Sequence, residues 1–460
     1  MRGGPRSLLF LLGLLVCGLG RAQESSPVVG GMPEDLLPGL GPILKTALAR
    51  SPETIRRDID RAAAEARRHI GESVLWPTLR ANGRYAVNQE STVSGGVGAR
   101  NDASGFFYEA VVNQPIYQWG ALKARANIDR LGVKITDQQF NETYRSLALL
   151  LRRGYLDLIA KKATLRAVRS QLVLDEAAVP RVRERLAAGA VSPGELAAAE
   201  LTVEQRKLAI DRAAGDLDYF RRGFMRVAGL AELPEEAIPQ EIAVPVRAAG
   251  EQRAALLQAF ARDGANGTFK AQELALGIKQ SEESYVIAKR RLYPKFSLYV
   301  GYSVRSETQA DVNRINQVAV ASRFYGIRTD WDIFDGFATK GEKLAAQAAK
   351  RTYERNLESH LAEQTDLARY HANQVEFAAR ALDLAERQLT GAQAGLKQVR
   401  EDFEAGRTTQ LAIDLAQQGL QTAEAAIVST RADYLNRWAE FVSLVGADPA
   451  MQNLPARHAR

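Results

Sequence analysis

Side chains able to do covalent or redox chemistry are few in this chain, and they do not converge. The four histidines, His69, His360, His371 and His458, include none set at metal-ligand spacing from another histidine or from a cysteine. His360 and His371 are expected on the solvent face of a helix. The one cysteine, Cys17, falls in the amino-terminal leader, so the remainder can form neither a disulfide nor a thiolate metal site. Gly95-Gly96-Val97-Gly98 is glycine-rich but precedes no helix, and it reads as a loop rather than a phosphate cradle. No G-x-S-x-G nucleophile elbow occurs. No catalytic residue, cofactor or metal is expected. What remains is charge. Arg80 and Arg84 lie in one segment of alternating polarity, and Asp330 and Asp332 close another. An unpaired buried guanidinium is costly. The two arginines must therefore either line a wet lumen, where they repel cations, or pair with Asp330 and Asp332 on a neighbouring strand.

The elements that would hold these groups begin after a leader. Arg2 and Arg6 precede an apolar run from Leu8 to Leu19, and Gly20-Arg21-Ala22 offers small residues at the two cleavage positions. This is a secretory signal peptide, with cleavage expected near Ala22. Lipid attachment at Cys17 is disfavoured because Val16 precedes it. The net charge of +7 includes Arg2, Arg6 and Arg21, so the remainder carries +4. So mild a charge gives no reason to expect a nucleic-acid partner. No later apolar run reaches the ~18 residues of a membrane helix. If the chain crosses a membrane it must do so with strands, because only helices and closed barrels satisfy their backbone in lipid.

The chain is internally duplicated. Pro77 and Pro294 are 217 residues apart, and that offset recurs at Ile116/Ile333, Ala121/Ala338, Lys123/Lys340, Arg183/Arg400, Gly189/Gly406 and Gly229/Gly446. Within each copy apolar residues fall on a seven-residue period. The first has Tyr144, Leu151, Leu158, Leu165, Leu172 and Val179; the second has Leu361, Ala368, Val375, Leu382, Leu389 and Leu396. Beyond the central glycine the period resumes with Val203, Ile210, Leu217 and Phe224, and with Leu420, Ile427, Tyr434 and Phe441. Heptads mean coiled-coil seams. Each copy is thus expected to hold two long antiparallel helices joined near Gly189 or Gly406, the first spanning roughly 70 residues or about 100 Å. Pro180 is expected to disturb its helix.

Between Pro77 and Gly120 the period is two. Leu79, Ala81, Gly83, Tyr85 and Val87 alternate with Thr78, Arg80, Asn82, Arg84 and Ala86, and Phe296 to Val304 alternates likewise with Lys295 to Ser303. About ten residues suit a tilted membrane strand. Tyr117, Trp119 and Trp331 are placed for an interface girdle. The polar stretches Asn88 to Gly105 and Arg305 to Asn316 read as exposed loops. Four strands cannot close a barrel, and an open edge cannot sit in lipid. The protomer must therefore oligomerise, and three copies give twelve strands. A soluble hairpin with one buried face would show the same alternation. That alternative leads to a soluble periplasmic coiled-coil scaffold or adaptor.

This order of features resembles the TolC-like outer membrane factors. The marks are the duplicated helix–hairpin–helix–helix unit, the proline closing the first helix, Pro115-Ile116-Tyr117 and Asp332-Ile333-Phe334 at the strand exits, the glycine turns, and Ser51-Pro52-Glu53 near the start. The resemblance spans about Ser51 to Gly446. It implies a mainly α fold with a small β part: a duplicated long-helix α-barrel plus a four-stranded contribution to a trimeric transmembrane β-barrel. It implies a homotrimer in outer-membrane lipid with a helical extension into the periplasm. A periplasmic adaptor (membrane fusion) protein and an inner-membrane transporter would complete a tripartite pump for small molecules or proteins. On this resemblance the docking turns hold Arg185, Leu186, Gly189 and Val191 in the first copy and Phe403, Gly406 and Arg407 in the second. Glu195, Phe403, Thr408 and Asp414 are candidates for a periplasmic gate. Glu195 and Asp414 read equally as plain surface acids, and Phe403 as a plain seam residue. An acidic ring at the constriction would place its residues at Ala412 and Leu415, where this chain has none.

The expected division is a signal peptide (1–22), a first repeat (23–230), an equatorial linker (231–266) with Pro234, Pro239 and Pro245 and a short helix near Ala254 to Arg262, a second repeat (267–446) and a loose tail (447–460).

Overall fold

The computed structural model describes residues 31–94, 97–262, 264–311 and 314–452. The leader with Cys17 and its expected cleavage point, the pair Gly95-Gly96, and the end of the tail with His458 lie outside those residues. Two helices missing from the sequence reading, α1 (Pro33–Leu36) and α2 (Leu40–Arg50), precede α3 (Pro52–Ser73). The first copy continues with β1 (Thr78–Ser94), β2 (Val97–Tyr117), α4 (Ala121–Ala187) and α5 (Pro193–Ala228). A connecting stretch carries a short 3-10 turn at Glu235–Ala237 and α6 (Gly250–Arg262). The second copy is α7 (Phe269–Arg290), β3 (Lys295–Asp311), β4 (Arg314–Asp330), α8 (Ala338–Glu404) and α9 (Gln410–Leu444), followed by α10 (Pro449–Gln452). α4 and α8 have 67 residues each, about 100 Å of helix.

Local chemistry sets the ends. The Ser51 hydroxyl accepts from the Thr54 amide with Pro52 in the first helical turn, and the Thr268 hydroxyl accepts from the Ala271 amide. These N-caps satisfy amides that the helices leave free. The heptad residues then form the seams. Tyr144, Leu151, Leu158 and Leu165 are buried, as are Ala368, Val375, Leu382 and Leu396 on α8 and Leu217, Phe224, Ile427, Tyr434 and Phe441 on the return helices. Leu172, Val179, Leu361 and Leu389 are half-buried. α4 packs on α5, α8 on α9, and α4 on α9, which joins the copies. A buried core forms where α2 packs on α4 and α5. Leu40, Leu44 and Leu48 join Tyr155, Phe224, Trp438 and Phe441, each such side chain contributing about 1.5–3 kcal/mol by burial.

A charge cluster fastens both ends of the chain to this core. Arg152 is fully buried; its Nε and Nη2 donate to Glu34 at 3.0 and 2.6 Å, and its Nη1 and Nη2 donate to Asp448 at 2.6 and 2.9 Å. Burial alone would lower the guanidinium pKa, but the bonds to Asp448 and Glu34 outweigh it and raise the pKa above its ordinary value.

Three expectations need correction. The helix runs through Pro180 without a break. The carbonyl of Ala177, beside the missing amide bond, gains a bond from Arg181 Nε at 3.0 Å. The hairpin tips are not long loops: β1 pairs with β2 from Thr78↔Asn113 to Ser94↔Val97, and β3 with β4 out to Asp311↔Arg314. Once a hairpin is in register, each further antiparallel pair closes backbone hydrogen bonds whatever the side-chain polarity. Finally, His360 and His371 are not on a free solvent face. Both are half-buried, and burial lowers both pKa values.

Candidate functional site

The four strands form one antiparallel sheet in the order β1-β2-β3-β4. Its register sorts the side chains into two faces. Leu79, Val112, Val300 and Tyr325 share one row, and Tyr85, Phe106, Leu298 and Ile327 lie on the same face. These groups stand in the open: Leu79 is 73% exposed and Tyr325 81%. Charge does occur on this face: Arg323 lies on the edge strand β4, opposite Tyr302. The other face carries Arg80, Asn82, Arg84, Glu109, Ser303, Arg305 and Arg328. A continuous uncovered apolar face with a polar reverse fits lipid on one side and water on the other.

The same register decides the intrachain pairing. Arg80 faces Val111 and Arg84 faces Phe107, whereas Asp330 faces Lys295 at the far edge of the sheet. Lys295 Nζ also donates to Asp332 Oδ2 at 3.2 Å, just beyond the end of β4. Of the two alternatives for Arg80 and Arg84, pairing with Asp330 and Asp332 on a neighbouring strand is therefore not made within the chain. The reason is topological: β2 and β3 lie between them.

Where the sheet meets the helices, both copies use the same elbow. Trp119 and Gly120 have φ of 56° and 89°, and Gly336 and Phe337 have 63° and 69°. The left-handed pair turns the chain from strand into helix, and in each pair one residue is an aromatic held there at a conformational cost. Trp119 Nε1 donates to the carbonyl of Pro294 at 2.9 Å, and Trp331 Nε1 to that of Leu292 at 3.0 Å. Tyr117, Trp119 and Tyr293 pack in sequence, with centroids 5.0 and 5.3 Å apart. Trp76, Trp331, Phe334 and Phe337 remain largely exposed at the same level. Amphipathic rings gathered at one level are what a membrane–water boundary favours.

At the opposite end of the helices the two turns are copies of each other. Gly189 and Gly406 both have φ of 70°. In the first turn the Ala190 amide donates to the Arg185 carbonyl and the Gly189 amide to Leu186; in the second, Arg407 donates to Asp402 and Gly406 to Phe403. Both are Schellman turns, which need a left-handed glycine. Arg185 and Phe403 are exposed, and Leu186, Val191 and Thr408 are half-exposed. Glu195 completes a capping box: its amide donates to Ser192 Oγ and its Oε1 accepts from the Ser192 amide. Its first role is thus to hold the start of α5. Asp414 is bound by Arg181 Nη2 at 2.6 Å, an ion pair that joins α9 of the second copy to α4 of the first. Arg407 pairs with Asp402 at 2.8 Å.

The family model for outer membrane efflux proteins matches residues 43–229 and 269–447, most of both copies. The chain belongs to the outer membrane efflux protein family. It is therefore a channel-family protein of the outer membrane and not an enzyme. No curated protein matches the sequence. Among solved structures, the chain is similar to the Campylobacter jejuni CmeC outer membrane channel, with a TM-score of 0.72, 14% identity, and coverage of 98% of this chain and 96% of that one. It is also similar to the OprN outer-membrane channel (0.71, 14%, 92% and 95%) and to the open state of the Neisseria gonorrhoeae MtrE channel (0.65, 16%, 92% and 94%). At such identities these likenesses show a shared fold.

Within this efflux-protein fold, two structural features went unread in the sequence. The elbows are signalled by Trp119-Gly120 and Gly336-Phe337, whose glycines occupy different places in the pair. The Arg152 cluster has no sequence signal, because Glu34 and Asp448 are near opposite ends of the chain. Among the described residues no group of His, Cys, Asp and Glu is arranged to hold a metal ion, and no helix is long and apolar enough to cross a membrane.

Proposed function

We propose that this efflux-family protein is one third of a trimeric exit duct. Three sheets close a twelve-stranded barrel in the outer membrane, and the long helices form its periplasmic conduit. The observation that carries the reading is a sheet whose two edges, β1 and β4, have no partner strand among the described residues and whose apolar face is uncovered. A lipid-embedded edge needs a partner, and another copy supplies it. The helices support the same assembly: Tyr370, Phe377 and Leu384, seven residues apart on α8, form an uncovered apolar stripe of the kind that packs in a coiled-coil seam. The signal peptide directs the chain across the inner membrane and is removed near Ala22.

The exposed turns around Gly189 and Gly406 are the docking points for a periplasmic adaptor, with an inner-membrane transporter behind it supplying the energy. The Arg181–Asp414 pair, together with Phe403 and Thr408, holds the periplasmic end narrow. The cargo is a small molecule or a secreted protein. The test is to extract the mature protein in detergent, weigh the particle by light scattering, and record it in planar bilayers. Three chains per particle with stepwise conductance are expected. A particle of one chain that stays in solution without detergent would sink the duct and favour a soluble scaffold.

A further inference from the structure

We infer that the barrel lumen selects for anions and that this duct carries negatively charged cargo. The inference rests on the trimeric-duct reading, which turns the polar face of the sheet inward. Between the periplasmic mouth and the strand tips the register places four arginines on that face, Arg80, Arg84, Arg305 and Arg328, against Glu109 and Glu307; Glu90, Asp311 and Arg314 lie at the tips and Asp330 at the mouth. This middle belt is net positive in each subunit, and closing a ring repeats it around the water column. The periplasmic mouth lies outside this belt: Lys295 faces Asp330 across the register and donates to Asp332.

The seating of the arginines matters as much as their number. Arg84 lies over the ring of Phe107, 5.0 Å from its centroid, and Arg328 over Tyr299 at 5.2 Å. An aromatic face holds a guanidinium in place without cancelling its charge. Arg80, Arg84 and Arg328 are exposed, and none has a carboxylate partner among the described residues. Arg84 and Arg305 share one row with Phe107 between them, and they line a hollow of about 140 Å³ in the wall. That row contains no acid. Low-dielectric walls focus such a field on the pore axis, and rings of Arg or Lys favour anions. Planar forks of this kind match carboxylate, sulfate and phosphate oxygens in pairs. Acidic organic molecules are the cargo class that fits.

The test uses the mature full-length protein in planar bilayers under a potassium chloride gradient. Wild-type channels are expected to give a reversal potential of the sign for chloride preference, larger in dilute salt because screening weakens there. The triple variant Arg80→Gln/Arg84→Gln/Arg328→Gln should keep its conductance steps while its reversal potential collapses toward zero. The charge-conserving triple lysine variant should retain the wild-type sign, which separates charge from damage to the fold. Cation preference in the wild type, or a selectivity unmoved by the glutamine changes, overturns the inference and leaves the duct intact. Wild-type silence removes the duct itself, and the inference with it.

Discussion

Arg152 shows how much one side chain can hold in this fold. It brings carboxylates from α1 and from the turn after α9 onto α4, and both the guanidinium and Asp448 are fully buried. Removing the cation strands two negative charges in the core. Arg152→Met should therefore cost about 3–5 kcal/mol in denaturant unfolding, whereas the triple change Glu34→Leu/Arg152→Met/Asp448→Leu should recover most of the loss. The half-buried histidines give a pH signature. For His360, burial lowers the pKa below 6.5 and outweighs the nearby glutamates; its Nε2 is 3.2 Å from Thr268 Oγ1. For His371 burial again dominates, although Glu440 lies 3.6 Å away, and Arg437 adds to the lowering. The unfolded chain then binds more protons than the folded one, so these groups cost stability as pH falls below 6.5. Thermal unfolding at pH about 5 and 7 should show less of a drop for the variant His360→Gln/His371→Gln than for the wild type. Sequence spacing put both histidines on a helix but could not tell that α7 and α9 cover them, because burial depends on which neighbours arrive.

At the scale of elements, the glycine turns and the ion pair between helix hairpins make separable contributions. Gly189 and Gly406 occupy the left-handed region where a β-carbon costs about 1–2 kcal/mol. Gly406→Ala should lower the stability of the helical part by that amount and weaken adaptor binding in a pull-down, with barrel insertion unchanged. The Arg181–Asp414 pair is partly exposed, with side chains 36% and 19% accessible, and a pair of that kind contributes about 1 kcal/mol. Asp414→Asn should shift the periplasmic end about fivefold toward the open form, read as single-channel open probability. Unchanged opening would assign Asp414 to the helix surface alone. The helices were legible because heptads repeat ten or more turns along one seam. The strand lengths were not, because polar tips such as Asn88 and Gln309 look like loops although backbone bonding carries the ladder through them.

At the scale of the molecule, the edges of the sheet decide the assembly. Cys17 is the one native cysteine, so with it replaced by serine or removed with the proposed leader, Ala81→Cys on β1 and Ala321→Cys on β4 provide the reactive pair. A flexible bis-maleimide should link these positions between subunits and give a ladder on denaturing gels that ends at three chains. Linkage only within a chain would contradict the closed ring, because β1 and β4 are separated by two strands in each subunit.

By itself the sequence determined the elements and their repetition. Period seven, period two and the 217-residue offset are local or self-referential patterns, and each follows from which side chains must face apolar surroundings. The resemblance they support proved to be the right family. Tertiary structure alone decided which residues meet. It placed β2 beside β3 and so kept Arg80 and Arg84 from Asp330 and Asp332. It also gathered Glu34, Arg152 and Asp448, and it carried α4 straight through Pro180. Such contacts join distant parts of the chain, and their free energy comes from burial and register that no single stretch contains.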